Sequence, residues 1–263
     1  MAKQFSLFYP RAKTLSPAQT KNVDGKFPAG QPSLVVMHYT ASGAGLSSAK
    51  YLHGKHKPAS SAHFVLDRDG TVWQLSDLDR VTWHAGKSSW KDAKGRKIEH
   101  VNNFGLGIEV ANWGFWRKEI AKQVPDPAKA GWLKAKHPNG GPSQWWEPYA
   151  EKQVASLEEL TRWLLKNCPK VHDLVGHEQI SPGRKVDPGP AFPWKRVKAL
   201  LPAKAKPLGL LGGMEQEEEA PPQLFPDDGD LPDLDAPEDL SNPLDTLETL
   251  RGRVRDLLSR GDE

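Results

Sequence analysis

The sequence predicts one α/β domain, a single mixed β-sheet flanked by helices, followed by a mostly disordered acidic tail. Three observations carry this prediction. Short apolar runs at 33–39 (SLVVMHY) and 104–111 (FGLGIEVA) read as strands fit for burial. The segment SAHFVLDRDGTVWQL at 61–75 reads as a hairpin turning at Asp69-Gly70, which makes part of the sheet antiparallel. Charge then divides the chain: residues 214–263 carry 16 acidic and 4 basic side chains, a net of −12, leaving +15 in residues 1–213. All ten tryptophans precede residue 200, so the first segment has the large apolar side chains a core needs and the acidic one mostly does not.

Taken in order, residues 1–31 are polar and rich in Lys, Gly and Pro, and read as an arm lying on the surface. The strand ending at His38 is followed by small residues, 40–45, that turn the chain into a helix around 47–53. The 104–111 strand contains Glu109, a carboxylate that needs a proton, a cation or a hydrogen-bonded water as partner. Residues 112–146 hold Trp113, Trp116, Trp132, Trp145 and Trp146 among Lys, Pro and Gly with no sustained period, so 113–146 reads as a Trp-rich insertion. Pro148 opens a helix whose Val154, Leu157, Leu160, Leu164 and Cys168 fall on one face. A short closing helix follows at 193–201. The folded domain is thus 1–203 with its core at 33–200, and strands interleaved with helices give the α/β class. Residues 204–241 read as a linker and a Pro-rich, acidic, disordered segment, and 242–261 as a short amphipathic helix fit for self-association or a partner.

A domain of +15 calls for an anionic partner, such as a nucleic acid, an anionic lipid or an acidic wall polymer. No reading helix or finger is visible, so nucleic acid is not expected. The single Cys168 excludes an internal disulfide and a Cys-based zinc cluster. The N-terminal residues lack an apolar run of signal-peptide length, and no stretch approaches membrane-spanning length. Synthesis in the cytoplasm without membrane insertion is therefore expected.

The stretch VGHEQISPGRKVDPGPAFPW at 175–194 organises the rest. Pro182, Gly183, Pro188 and Gly189 force an irregular loop, and that loop presents His177, Lys185 and Asp187. An imidazole and a carboxylate suit a borderline divalent ion such as zinc, and a nearby lysine suits developing negative charge. Two ligands are too few, and His38 at the end of the first apolar run is the best third candidate. Taken singly, a histidine is more often a hydrogen-bonded core or surface residue, which is the reading adopted for His53, His56, His63, His100, His137 and His172.

The segments VVMHYTASG, SSAHFVLDRDGTVWQL, VTWHAG, NNFGLGIEVAN, QWWEPYAEKQ and VGHEQISPGRKVDPGPAFPW, in this order, resemble the zinc-dependent N-acetylmuramoyl-L-alanine amidases of the AmpD and phage amidase-lysozyme type, a fold shared with peptidoglycan recognition proteins. The resemblance covers most of 33–200 and is nearer the AmpD type, because Asp187 stands where the phage lysozymes have Cys. It implies that His38, His177 and Asp187 bind Zn2+, that Glu109 is the catalytic carboxylate and Lys185 the catalytic lysine, and that His84 lines the substrate groove. It further implies hydrolysis of the amide between N-acetylmuramic acid and L-alanine in peptidoglycan or muropeptides. Endolysin-like wall lysis after release is favoured over cytoplasmic recycling of anhydro-muropeptides. A metal-free binding module is the competitor from another class, and retention of the whole ligand and catalytic set speaks against it.

Overall fold

The computed structural model describes residues 8–17, 19–92 and 95–202. The expected linker, acidic segment and C-terminal helix lie outside the described residues.

In chain order the elements are β1 (Lys13–Thr14), β2 (Val23–Lys26), β3 (Leu34–Tyr39), α1 (Gly45–His53), β4 (Phe64–Leu66), β5 (Val72–Gln74), β6 (Arg80–Thr82), β7 (Ser89–Lys91) and β8 (Lys97–Glu99). They continue as β9 (Gly105–Val110), β10 (Leu133–His137), β11 (Gly140–Trp146), α2 (Glu151–Asn167), β12 (Asp173–Gly176), α3 (His177–Ile180) and α4 (Trp194–Lys198). Six strands form the central sheet in the order β1-β5-β4-β9-β3-β12. The neighbours β4, β9, β3 and β12 run parallel, β4 and β5 form the expected antiparallel hairpin, and β1 lies parallel to β5 at the edge. The mixed sheet expected from the sequence is what forms.

Alternation along β3 sorts its side chains to two faces. Val35 and Met37 join Ile108, Phe64 and Leu66 in a core cluster with Leu157, Leu160 and Leu164 of α2. The α2 stripe expected from spacing is buried throughout, and each fully buried leucine contributes roughly 1.5–3 kcal/mol. Leu34 and Val36 face the other way, against Val101, Val175 and Ile180. Val65 packs with Ala49 and Leu52 of α1 on that second face.

Two expectations need correction. The N-terminal arm does more than lie on the surface: Tyr9 and Phe27 are buried in the core, β1 extends the central sheet, and β2 pairs with β6. Its polar composition conceals this because the anchoring residues are few and separated. The Trp-rich insertion is likewise not irregular throughout, since β10 and β11 pair antiparallel, with Leu133 opposite Trp146 and Lys134 opposite Trp145. Glycines 140 and 141 and Pro142 inside β11 mask the strand, because the hairpin is held by Trp146 and Trp132 at its base rather than by an alternating apolar face.

Register fixes the functional end of the sheet. His38 of β3 pairs directly with Glu109 of β9, so the two side chains leave the same face at the C-terminal ends of parallel strands. Gly176 pairs with Met37, so the next residue, His177, starts α3 beside His38.

Candidate metal and catalytic site

His38 is buried at the end of β3, His177 at the start of α3, and Asp187 in the loop that follows. Their ligand atoms converge: His38 Nδ1 lies 2.9 Å from His177 Nδ1 and 3.0 Å from Asp187 Oδ2, and His177 Nδ1 lies 3.0 Å from the same oxygen. The three residues assigned as ligands from the sequence are therefore brought to one point.

Backbone carbonyls decide which ring nitrogens carry protons there. A carbonyl can only accept, so His84 Nε2, 3.1 Å from Gly105 O, is the protonated nitrogen of that ring. His84 Nδ1 is then an acceptor, and His38 Nε2, 3.0 Å away, must donate to it. His177 Nε2 lies 3.2 Å from Ala85 O and donates in turn. Both Nδ1 atoms are left bare, facing each other and a carboxylate oxygen.

Three acceptors at 2.9–3.0 Å repel unless a proton or a metal ion sits among them, and two imidazoles with a carboxylate are a donor set that zinc accepts. The protonation states agree. Burial, reinforced by neighbouring His177, lowers the His38 pKa to about 4 and keeps the ring neutral. Burial pushes the Asp187 carboxyl up, but His177 and His38 outweigh it and hold it below the usual carboxylate range. A neutral His38 and an ionised Asp187, with the second imidazole of His177 beside them, offer the donor types a divalent ion requires.

Glu109 is half-buried beside this centre, and its pKa is raised well above the ordinary value by burial and then by the Asp187 charge, with Lys185 opposing. Lys185 acts on His38 as well, which places its charge near both groups. It also borders a cleft of about 340 Å³ whose other wall is the β10–β11 hairpin with Trp146, together with Phe115.

His84, expected to line the substrate groove, lies behind His38. It is 8% exposed, both ring nitrogens are engaged, and it packs on Gly107, where an added Cβ would lie 2.5 Å from His84 Cγ. His63 follows the packed reading: its Nε2 donates to Arg80 O at 2.9 Å, while Nδ1 accepts from Gly107 N and Thr82 Oγ1. His137 is hydrogen-bonded too, but to a residue that sequence reasoning missed. That residue is Glu178, 2% exposed, whose Oε2 accepts from His137 Nε2 at 3.0 Å and from Gly189 N at 3.0 Å. Nothing in the linear pattern of GHEQIS distinguishes it from a solvated helix residue.

A family model described as N-acetylmuramoyl-L-alanine amidase matches residues 28–190, more than half of the chain. The chain belongs to this amidase family. It is 32% identical over 142 residues to the 1,6-anhydro-N-acetylmuramyl-L-alanine amidase AmpD of Salmonella typhimurium, a match covering 54% of this chain and 57% of that protein. The N-acetylmuramoyl-L-alanine amidase AmiD of Escherichia coli is 28% identical over 171 residues, covering 62% of this chain and 51% of its own length. The match thus spans little more than half the length of these curated relatives. The crystal structure of a selenomethionine AmpD derivative superposes with a TM-score of 0.53 at 25% identity, covering 76% of this chain and all of that one, so the amidase fold is shared.

Proposed function

We propose that this member of the amidase family is a zinc-dependent N-acetylmuramoyl-L-alanine amidase that hydrolyses the amide joining the lactyl group of N-acetylmuramic acid to L-alanine. The convergence of two unprotonated Nδ1 atoms and one carboxylate oxygen within 3.0 Å of one another, with Glu109 in register beside His38, carries this reading. A binding-only module needs none of these groups.

His38, His177 and Asp187 hold the ion in this reading. When bound, zinc supplies Lewis acidity toward the amide carbonyl and lowers the pKa of water. Glu109 accepts a proton from the water that adds to the carbonyl carbon. Its raised pKa brings it toward the range in which it both takes a proton and gives it up near neutral pH. As the carbon–nitrogen bond breaks, Glu109 returns that proton to the alanine nitrogen, so the products are a lactyl carboxylate and a free amine. Lys185 stabilises the negative charge that develops on the carbonyl oxygen. His84 acts behind the ligands: by accepting from His38 Nε2 it fixes the ring that presents Nδ1.

The net +15 of residues 1–213 supports a polymeric, anionic wall as substrate and hence the endolysin-like setting. A second reading, release of stem peptides from soluble 1,6-anhydro-muropeptides in the cytoplasm, is favoured by the substrate in the name of the AmpD relatives. Both cut the same bond. Mass spectrometry of products from intact sacculi and from a soluble anhydro-muropeptide separates them. The metal assignment is tested by His177→Ala, which should remove stoichiometric zinc and activity together. A zinc-free but active wild type, or a fully active variant, would defeat it.

A further inference from the structure

We propose that Glu178 is a positioning residue for the metal ligand Asp187, and that His137 ties the Trp-rich hairpin to it, so that seating of the hairpin and zinc affinity are coupled. The inference rests on the metal reading above. Asp187 stands in a loop broken by prolines and glycines, with no ladder to hold it. Its surroundings are held instead by α3. Glu178 N donates to Asp187 O at 2.8 Å, and the Glu178 side chain accepts from Gly189 N at 3.0 Å, two residues beyond the ligand. One buried residue therefore grips the loop at and just after Asp187.

The second grip comes from the hairpin. Asn139 N donates to His137 Nδ1 at 3.0 Å, so the proton of that ring is on Nε2, which donates to Glu178 Oε2 at 3.0 Å and approaches Val186 O at 3.2 Å. Asn139 Nδ2 donates to Glu178 O at 2.9 Å. His137 at the end of β10 and Asn139 in the turn that follows thus bond to the residue holding the ligand loop, and His137 also approaches the carbonyl just before Asp187. Packing reinforces this, because His137 lies against Trp146, and Trp146 covers Gly189, where φ is +75° and a Cβ would meet the indole at 2.6 Å. The hairpin is a lever on the ligand loop as well as a wall of the cleft.

The test measures zinc affinity by competition with a chromophoric chelator, independently of turnover, alongside chemical denaturation of the metal-free chain. Glu178→Ala should raise the zinc Kd about 10–100-fold, as expected when a hydrogen-bonding group behind a metal ligand is lost. His137→Phe keeps the aromatic contact with Trp146, removes the hydrogen bonds to Glu178 and to Val186 O, and should weaken zinc in the same direction. If Glu178→Ala does not fold, His137→Phe and Asn139→Ala carry the test. A folded variant of Glu178 or His137 whose zinc Kd stays within about two-fold of wild type overturns the proposal, since loss of such a group should cost at least tenfold. Wild-type protein that binds no zinc defeats the metal reading instead, so the two failures are distinguishable.

Discussion

Replacing Gly107 of β9 by alanine should damage the proposed metal centre indirectly, through His84. The added Cβ would stand 2.5 Å from His84 Cγ and 2.9 Å from both Cβ and Cδ2 of the same ring, closer than real carbon atoms approach. The ring cannot yield without losing its bonds, because Nε2 is held by Gly105 O at 3.1 Å and Nδ1 by His38 Nε2 at 3.0 Å. Overpacking a buried site costs roughly 1–3 kcal/mol. Each of the two buried hydrogen bonds broken adds about 1 kcal/mol, so the metal-free protein should lose about 3–5 kcal/mol. Against a typical domain stability of about 5–15 kcal/mol this is large but survivable. Zinc affinity should fall as well, about 10–100-fold, because His38 loses the acceptor that fixes its tautomer. Gly25→Ala is the control, since nothing lies within 4 Å of a Cβ built there, and it should stay within about 0.5 kcal/mol of wild type. Chemical denaturation of chelated protein measures the first quantity and chelator competition the second. A Gly107→Ala variant as stable as Gly25→Ala, with wild-type zinc affinity, would refute the role given to His84.

Glu109→Gln and Lys185→Ala should retain zinc and lose on the order of two or more decades of turnover; loss of metal in either would mean that a ligand has been mistaken for a catalyst. The acid limb of kcat/KM should have an apparent pKa above the ordinary glutamate value, because burial and the Asp187 charge favour the protonated form of Glu109, and an ordinary value would count against Glu109 as the base. Metal-free protein should lose stability as pH falls from about 6.5 to about 4, because burial lowers the His63 pKa to about 4 and the unfolded chain takes up that proton first. The full window corresponds to about 3 kcal/mol at about 1.4 kcal/mol per unit. His63→Gln should lessen this pH dependence by the share of His63, leaving that of His38, whose pKa burial also lowers to about 4, and an unchanged slope would exclude His63 as a source.

Much of the fold was legible because its elements advertise themselves. β3 and β9 are short apolar runs, and the α2 stripe of Val154, Leu157, Leu160 and Leu164 is an unbroken helical period, buried as spacing requires. The candidate metal ligands were legible only in combination, since each histidine taken singly has a bland reading. His177 and Asp187 share one Pro- and Gly-broken stretch, His38 ends an apolar run, and the resemblance of both segments to the amidases joined them. The hairpin at 133–146 was not legible. Its pairing depends on Trp146 reaching back to Ala135 O at 3.1 Å, and a contact across the turn leaves no period in the sequence. Tyr9 and Phe27 escaped notice similarly, as isolated anchors in a polar arm.

What a ligand list cannot contain is the choice of nitrogen. Each candidate ligating ring has two, and either could face an ion. The choice is made by Gly105 O, acting through His84 on His38, and by Ala85 O, acting directly on His177. Ala85 and Gly105 flank the 86–104 segment, whose Asn102 Oδ1 accepts from both His84 N at 3.1 Å and Ala85 N at 2.8 Å. One side chain thus fixes the backbone at His84 and at the carbonyl that orients His177. It follows that Asn102, which touches no ligand, influences both imidazoles at once. Substitutions there should perturb zinc affinity through the tautomers of two rings, whereas a change at Gly107 acts through His84 and His38 alone.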